Sequence, residues 1–171
     1  MTATFINSFI LFFVAIDTIG NVPFFLSLTE DIKLKERNQI AIKATIIAFF
    51  IMITFAYGGR YLLEAIDVSL DSLKIAGGVI LMLLAIDILF EKRKKRREKR
   101  VEEVLDEKTF DEMAVFPIAI PFIAGPSALT TIILLIGNYK NFPEFQIPVI
   151  FALITALILG LILMIGASYI I

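Results

Sequence analysis

Apolar residues run almost unbroken through five stretches, near 3–29, 39–63, 68–90, 113–137 and 147–171, with short polar segments between them. A hydrocarbon core of roughly 30 Å needs about 20 apolar residues per helix, so each stretch is expected to span a membrane as an α-helix. Barrel strands would alternate apolar and polar residues over short runs, and these runs are continuous and longer. The expected fold class is therefore an all-α polytopic membrane protein with five spans. The first stretch is expected to be a retained span, because Met1 to Ile16 carries no basic start and no small-residue cleavage site follows.

Two of the five stretches are interrupted. The first runs from Ile10 to Ile16, breaks over Asp17-Thr18-Ile19-Gly20-Asn21-Val22-Pro23, and resumes at Phe24. The fourth runs to Ile123, breaks at Ala124-Gly125-Pro126-Ser127, and resumes with Ala128. Proline is costly inside a helix and welcome at its first position, so Gly-Pro reads as one helix ending and another beginning. Gly20, Pro23, Gly125 and Pro126 are the expected break residues. At 1.5 Å per residue the helix before Asp17 descends about 21 Å, and a helix from Met113 to Ile123 climbs about 16 Å. The discontinuous spans should meet near the midplane, where irregular backbone is tolerated only if buried in protein or lining a wet cavity.

The chain also matches itself at an offset of 108. Ala44 falls on Ala152, Ala48 on Ala156, Gly58 on Gly166 and Tyr61 on Tyr169, and the two breaks fall together. Three spans per unit is odd, so the second unit enters the membrane in the opposite sense, giving an inverted repeat. The expected organisation is a three-span unit at 1–90, a linker at 91–112, and a second unit at 113–171 holding two of its three spans. Span three would recur beyond Ile171, so a sixth span is expected to be missing. Small-residue stripes, Ala41, Ala44 and Ala48 and again Ala152, Ala156 and Gly160, mark close helix packing, as does Ala76-Gly77-Gly78.

Composition agrees, with 58% hydrophobic and 19% charged residues. Residues 91–112 hold nine basic and eight acidic side chains, just over half of all charge. Lys and Arg are retained inside, so this linker is expected to be cytoplasmic, together with Lys33, Lys35, Arg37 and Lys43. The N-terminus then lies outside, with Arg60, Glu64 and Lys74 as outer anchors and Lys140 outside as well. The basic run from Lys92 to Arg100 reads as a solvated topology anchor, with no nucleic-acid partner expected. Cysteine and histidine are absent, which removes thiol nucleophiles, Ser-His-Asp triads and metal sites built on those residues. No cofactor, no metal and no enzymatic activity are expected. An intramembrane aspartyl hydrolase would need Asp17 and Asp87 in one site, and Asp87 belongs at the inner surface.

Peptide dipoles write the chemistry of two opposed breaks. Resumed helices expose N–H groups near Gly20 to Val22 and near Ser127 to Leu129, suited to a carboxylate. Carbonyls at Ala15-Ile16 and Ile123-Ala124 suit an ammonium or a cation, so a zwitterion fits both. Thr18, Asn21, Ser127 and Thr130 add side-chain hydrogen bonds, while Gly20, Ala124, Gly125 and Ala128 leave little room. Asp17, an ionisable group deep in the membrane, is by default a functional candidate. It has two readings: a carboxylate for the substrate ammonium or a coupling proton, or an N-cap for the second half of span one. The phenylalanines Phe9, Phe12, Phe13, Phe24 and Phe25 read as lipid-facing or gate packing.

The run Asp17-Thr18-Ile19-Gly20-Asn21-Val22-Pro23 resembles the Asp-Pro-x-Gly-Asn-x-Pro signature of the MarC/SnatA family of multi-pass inner-membrane proteins. Ala124-Gly125-Pro126-Ser127-Ala128 resembles its Ala-Gly-Pro-Gly-Ala partner, and Ile75-Ala76-Gly77-Gly78 is similar to that family too. The resemblance covers the whole chain and implies six spans in two inverted triplets. It also implies a secondary transporter of small neutral amino acids such as glycine and alanine, in which a proton is the expected coupling partner. Thr18 stands where that family has proline and Ser127 where it has glycine. A non-transporting membrane assembly or regulatory protein is the alternative.

Overall fold

The computed structural model describes residues 1–30, 32–89, 110–139 and 141–169. The charged linker up to residue 109, and Lys140, lie outside them, as do the side chains of Lys74 and Asp87. Every element among the described residues is helical: α1 Thr2–Ile16, α2 Asn21–Leu28, α3 Leu34–Ala65, α4 Leu70–Leu89 and the short α5 Phe110–Met113. After α5 comes an irregular segment, Ala114–Ile123, followed by α6 Pro126–Asn138 and α7 Pro143–Ser168.

The 32-residue α3 and the 26-residue α7 are each long and apolar enough to cross a membrane alone. Two bent pairs would raise the count to four: α1 with α2 turns by 40°, and Asp111–Ile123 with α6 by 61°. The 20-residue α4 occupies the place of the expected third span.

The long helices are apolar on both faces, sorted by size. On α3, Ala41, Ala44, Ala48 and Met52 are fully buried, whereas Ile42, Ile46 and Phe50 are exposed. On α7, Val149, Ala152 and Ala156 are buried, whereas Ile147, Phe151, Ile158 and Ile162 are exposed. Lipid gives no hydrophobic drive between helices, so alanines that admit close approach line the seams, with the larger Ile40, Met52 and Leu153 filling the core between them. Both small-residue stripes thus form the seams of the packed core. The most extensive pairing is α1 against α7, followed by α3 against Ala114–Ile123 and against α6. Gly59 shows how tight the α3 to α6 seam is: an added Cβ would lie 2.6 Å from Ile133.

Two expectations are corrected. Residues 114–123 are not a regular helix, because Pro117 and Pro121 lack the N–H that an α-helical turn requires. Instead Phe116 (φ −135°, ψ 121°) and Ile120 (φ −126°, ψ 126°) are extended, and the peptide bonds before both prolines are cis. The estimate of a steady helical climb to Ile123 therefore does not apply. Of the two readings of the span-one phenylalanines, the lipid-facing one is excluded for Phe12, Phe24 and Phe25, which are buried in the core.

Several polar side chains within the core are satisfied on the preceding turn of their own helix, as a dry environment favours. Thr45 donates to the carbonyl of Ala41 at 2.8 Å and Thr131 to that of Ser127 at 2.8 Å. Arg37, expected only as a charge on the inner side, is buried and serves as a cap. Its Nε and Nη2 donate to Thr29 O at 3.1 and 2.7 Å, and Nη2 also donates to Glu30 O at 3.1 Å. A cation at those carbonyls complements the C-terminal end of α2.

Candidate functional site

The first break is a turn closed by its own backbone. Asp17 caps α1 in the left-handed conformation (φ 55°, ψ 55°), its N–H donating to Val14 O at 3.0 Å. The Thr18 N–H returns to Phe13 O at 3.3 Å, the Asn21 N–H to Asp17 O at 3.0 Å and the Val22 N–H to Ile19 O at 3.2 Å. Gly20 is fixed by contact, because a Cβ there would run into the Asp17 carboxylate. Asp17 is thus the C-cap of α1, and its carboxylate lies over Gly20, the residue preceding α2. The expected carboxylate cradle at Gly20 to Val22 is corrected, since the Asn21 and Val22 N–H groups are held within the turn and Pro23 has none.

The second break is opened by an extended residue. Gly125 (φ −79°, ψ 173°) precedes α6, which starts on Pro126 as the rule for prolines at helix starts anticipates. A Cβ on Gly125 would lie 2.5 Å from the carbonyl oxygen of Pro121, a backbone atom that cannot swing aside. The Ala124 N–H closes the preceding segment on Ala119 O at 2.9 Å.

The two breaks touch, and each supplies the other's missing donor. Ser127 Oγ, at the start of α6, donates to Ala15 O near the end of α1 at 2.6 Å. Asn21 Nδ2, at the start of α2, donates to Ile16 O at 2.7 Å and across to Phe122 O at 3.4 Å. The carbonyls expected to meet a cation are thus partly occupied by the side chains expected to meet a substrate. The ring of Phe24 of α2 lies against that of Phe122 just ahead of the second break, tilted by 46°.

Beside this contact lies a cavity of about 10 Å³, on a scale where one water needs about 10–15 Å³. Thr18 and Asn21 line it from the first break and Thr45 from α3, with Ala156 and Gly160 from α7. Ile16 and Ile123, the last residues before each break, complete it together with Leu157 and Met164 of α7, and its wall is almost entirely apolar. Of the expected site residues, only Thr18 and Asn21 reach this cavity. Asp17 and Gly20 shape the turn behind it, and Ala124, Gly125, Ser127 and Ala128 are buried in the second break. Pro126 is exposed, and Thr130 is half-buried beside the buried Thr131. Sequence reasoning missed Thr45 as a wall, and read Ala156 and Gly160 first as packing and only second as lining a path. No group of three or more carboxylates capable of holding a metal occurs among the described residues.

Apolar outer faces, buried small-residue seams and two bent helix pairs together define a polytopic integral membrane protein. A family model described as the MarC family integral membrane protein matches residues 2–171, and the chain belongs to that family. A UPF0056 membrane protein of Archaeoglobus fulgidus is 44% identical over 133 residues, covering 77% of this chain and 61% of that protein. The UPF0056 membrane protein YvbG of Bacillus subtilis is 32% identical over 145 residues, covering 85% and 69%. The UPF0056 inner membrane protein YhgN of Escherichia coli is 29% identical over 136 residues, covering 80% and 66%. The chain spans 60 to 69% of the length of such relatives. No solved structure matches it.

Proposed function

We propose that this chain carries the core of a secondary transporter for small neutral amino acids, glycine- and alanine-like, working by alternating access around the two helix breaks. The observation that carries the reading is the reciprocal exchange between the breaks, Ser127 to Ala15 and Asn21 to Phe122. Two discontinuous helices meeting inside the bundle are the pointer to a transport site. The pairing of helices supports an inverted repeat: α1 rests on α7 as Ala114–Ile123 rests on α3.

In this reading the chain forms five spans in an inner membrane, with the N-terminus outside and the 91–112 linker cytoplasmic. The ion pair of Lys43 with Asp111 supports placing the start of α3 and the end of the linker on one side. The substrate enters where Thr18, Asn21, Ser127 and the small residues Gly20, Ala124, Gly125 and Ala128 converge. Binding takes over hydrogen bonds that the breaks otherwise give each other, so loading and rearrangement are coupled. A coupling proton is assigned to Asp17.

The test is saturable uptake of labelled glycine or alanine by the purified protein in proteoliposomes. Asp17→Asn is expected to abolish the proton-dependent part of that flux, and unchanged flux removes Asp17 from the coupling. Absence of both binding and flux refutes the transport reading in favour of a membrane assembly role.

A further inference from the structure

The cavity beside the first break turns carbon, not oxygen, to its interior. Thr18 Oγ1 donates back to Phe13 O at 3.3 Å and Thr45 Oγ1 to Ala41 O at 2.8 Å, while the Asn21 amide hydrogens go to Ile16 O and Phe122 O. With those groups spent on main chain, the rest of the wall is Ile16, Ile123, Ala156, Leu157, Gly160 and Met164, and it is almost entirely apolar. Such a wall offers little to an ion or to a water, because a buried water needs about two to four polar partners. Apolar cavities stay dry and take apolar guests, and an unfilled one forfeits the dispersion contacts that its lining would otherwise make.

Size and position narrow the guest further. The cavity measures about 10 Å³, the scale of one small group. Gly160 on α7 sets that scale. Among the described residues outside its own stretch of helix, an added Cβ there would meet only Thr18 Cγ2 within 4 Å, at 3.4 Å. One methyl group thus bridges the gap from α7 to the first break. A whole amino acid does not fit, so one that uses the cavity leaves its ammonium and carboxylate at the breaks and inserts only its side chain.

We infer that this cavity is the side-chain pocket of the transport site, shaped for the methyl group of alanine, with Gly160 as its specificity-determining residue. The inference rests on the transport reading and deepens it. The breaks handle the charged ends that all α-amino acids share, and the α7 wall distinguishes among their side chains. Glycine leaves the pocket empty and alanine fills it. The hydroxyl of serine finds no partner on an apolar wall, and 2-aminobutyrate is one methylene too long.

The experiment is thermal unfolding of the purified protein in detergent, titrated with glycine, alanine, serine or 2-aminobutyrate. A ligand that binds the folded state raises the midpoint saturably. One carbon in an apolar pocket changes affinity by about tenfold or more, so alanine is expected to half-saturate at about one tenth of the glycine concentration, with serine and 2-aminobutyrate weaker than alanine. Gly160→Ala supplies that methyl from the protein, at an ordinary contact distance from Thr18. It is expected to fold, to leave glycine binding unchanged and to abolish the preference for alanine. Leu157→Ala, which removes bulk from the wall, is expected to strengthen 2-aminobutyrate relative to alanine by about tenfold. Equal binding of glycine and alanine, a preference for alanine that survives in Gly160→Ala, or loss of both ligands together in that variant overturns the pocket while leaving the transport reading in place. No stabilisation by any of the four amino acids overturns both.

Discussion

The two breaks perform one task with different chemistry. At the first, a left-handed aspartate folds the chain back and the turn satisfies its own N–H groups. At the second, an extended glycine follows a segment already loosened by two prolines. The first break is a side-chain device, because what excludes a Cβ at Gly20 is the movable carboxylate of Asp17. The second is a backbone device, because what excludes a Cβ at Gly125 is the carbonyl of Pro121. A break that closes itself can be tuned by mutation; one that leans on main chain cannot.

The largest expected effect tests that distinction directly. Gly125→Ala should destabilise the folded protein by about 2–3 kcal/mol, as overpacking against an unyielding neighbour does, read as a shift in denaturant unfolding in detergent. An effect under about 0.5 kcal/mol, the range of innocuous surface changes, would break the comparison. Next comes the contact between the breaks. Ser127→Ala removes the donor to Ala15 O, and an unsatisfied buried acceptor costs about 1–3 kcal/mol; the same unfolding assay reads it.

Gly20→Ala should cost about 1 kcal/mol, because the carboxylate can turn away. The sharper reading is a double-mutant cycle with Asp17→Gly, which suits the left-handed backbone and removes the obstruction. In that background the Gly20→Ala penalty should vanish, and a persistent penalty would make the first break as rigid as the second. The smallest effect is the control: Gly58→Ala, on α3 with nothing within 4 Å of the added Cβ, should be neutral or slightly stabilising. Its neighbour Gly59, packed on Ile133, should be clearly intolerant.

The positions of the breaks were legible in the sequence because glycine and proline punctuate helices by covalent geometry alone. Ala41, Ala44, Ala48, Ala152 and Ala156 were legible as seams for a similar reason, small side chains in lipid having few other uses. Pro117 and Pro121 carried an equally local signal that the segment before the second break is not a helix, and the apolar run around them obscured it. Thr45 could not be read as a cavity wall, because a threonine in a helix satisfies itself on the preceding turn whatever it faces. The same holds for the donors of the first break: whether an N–H at a helix start is open depends on how the preceding turn folds. Arg37 looked like one of several basic residues near a membrane surface, and only the path of the connection from α2 to α3 shows what its guanidinium holds.

That guanidinium has a mechanical consequence. By gripping the main chain at Thr29 and Glu30, Arg37 fastens the far end of α2 to the start of α3. The aspartate elbow is then the pivot left between the two halves, with α1 the lever arm and α2 the anchored base.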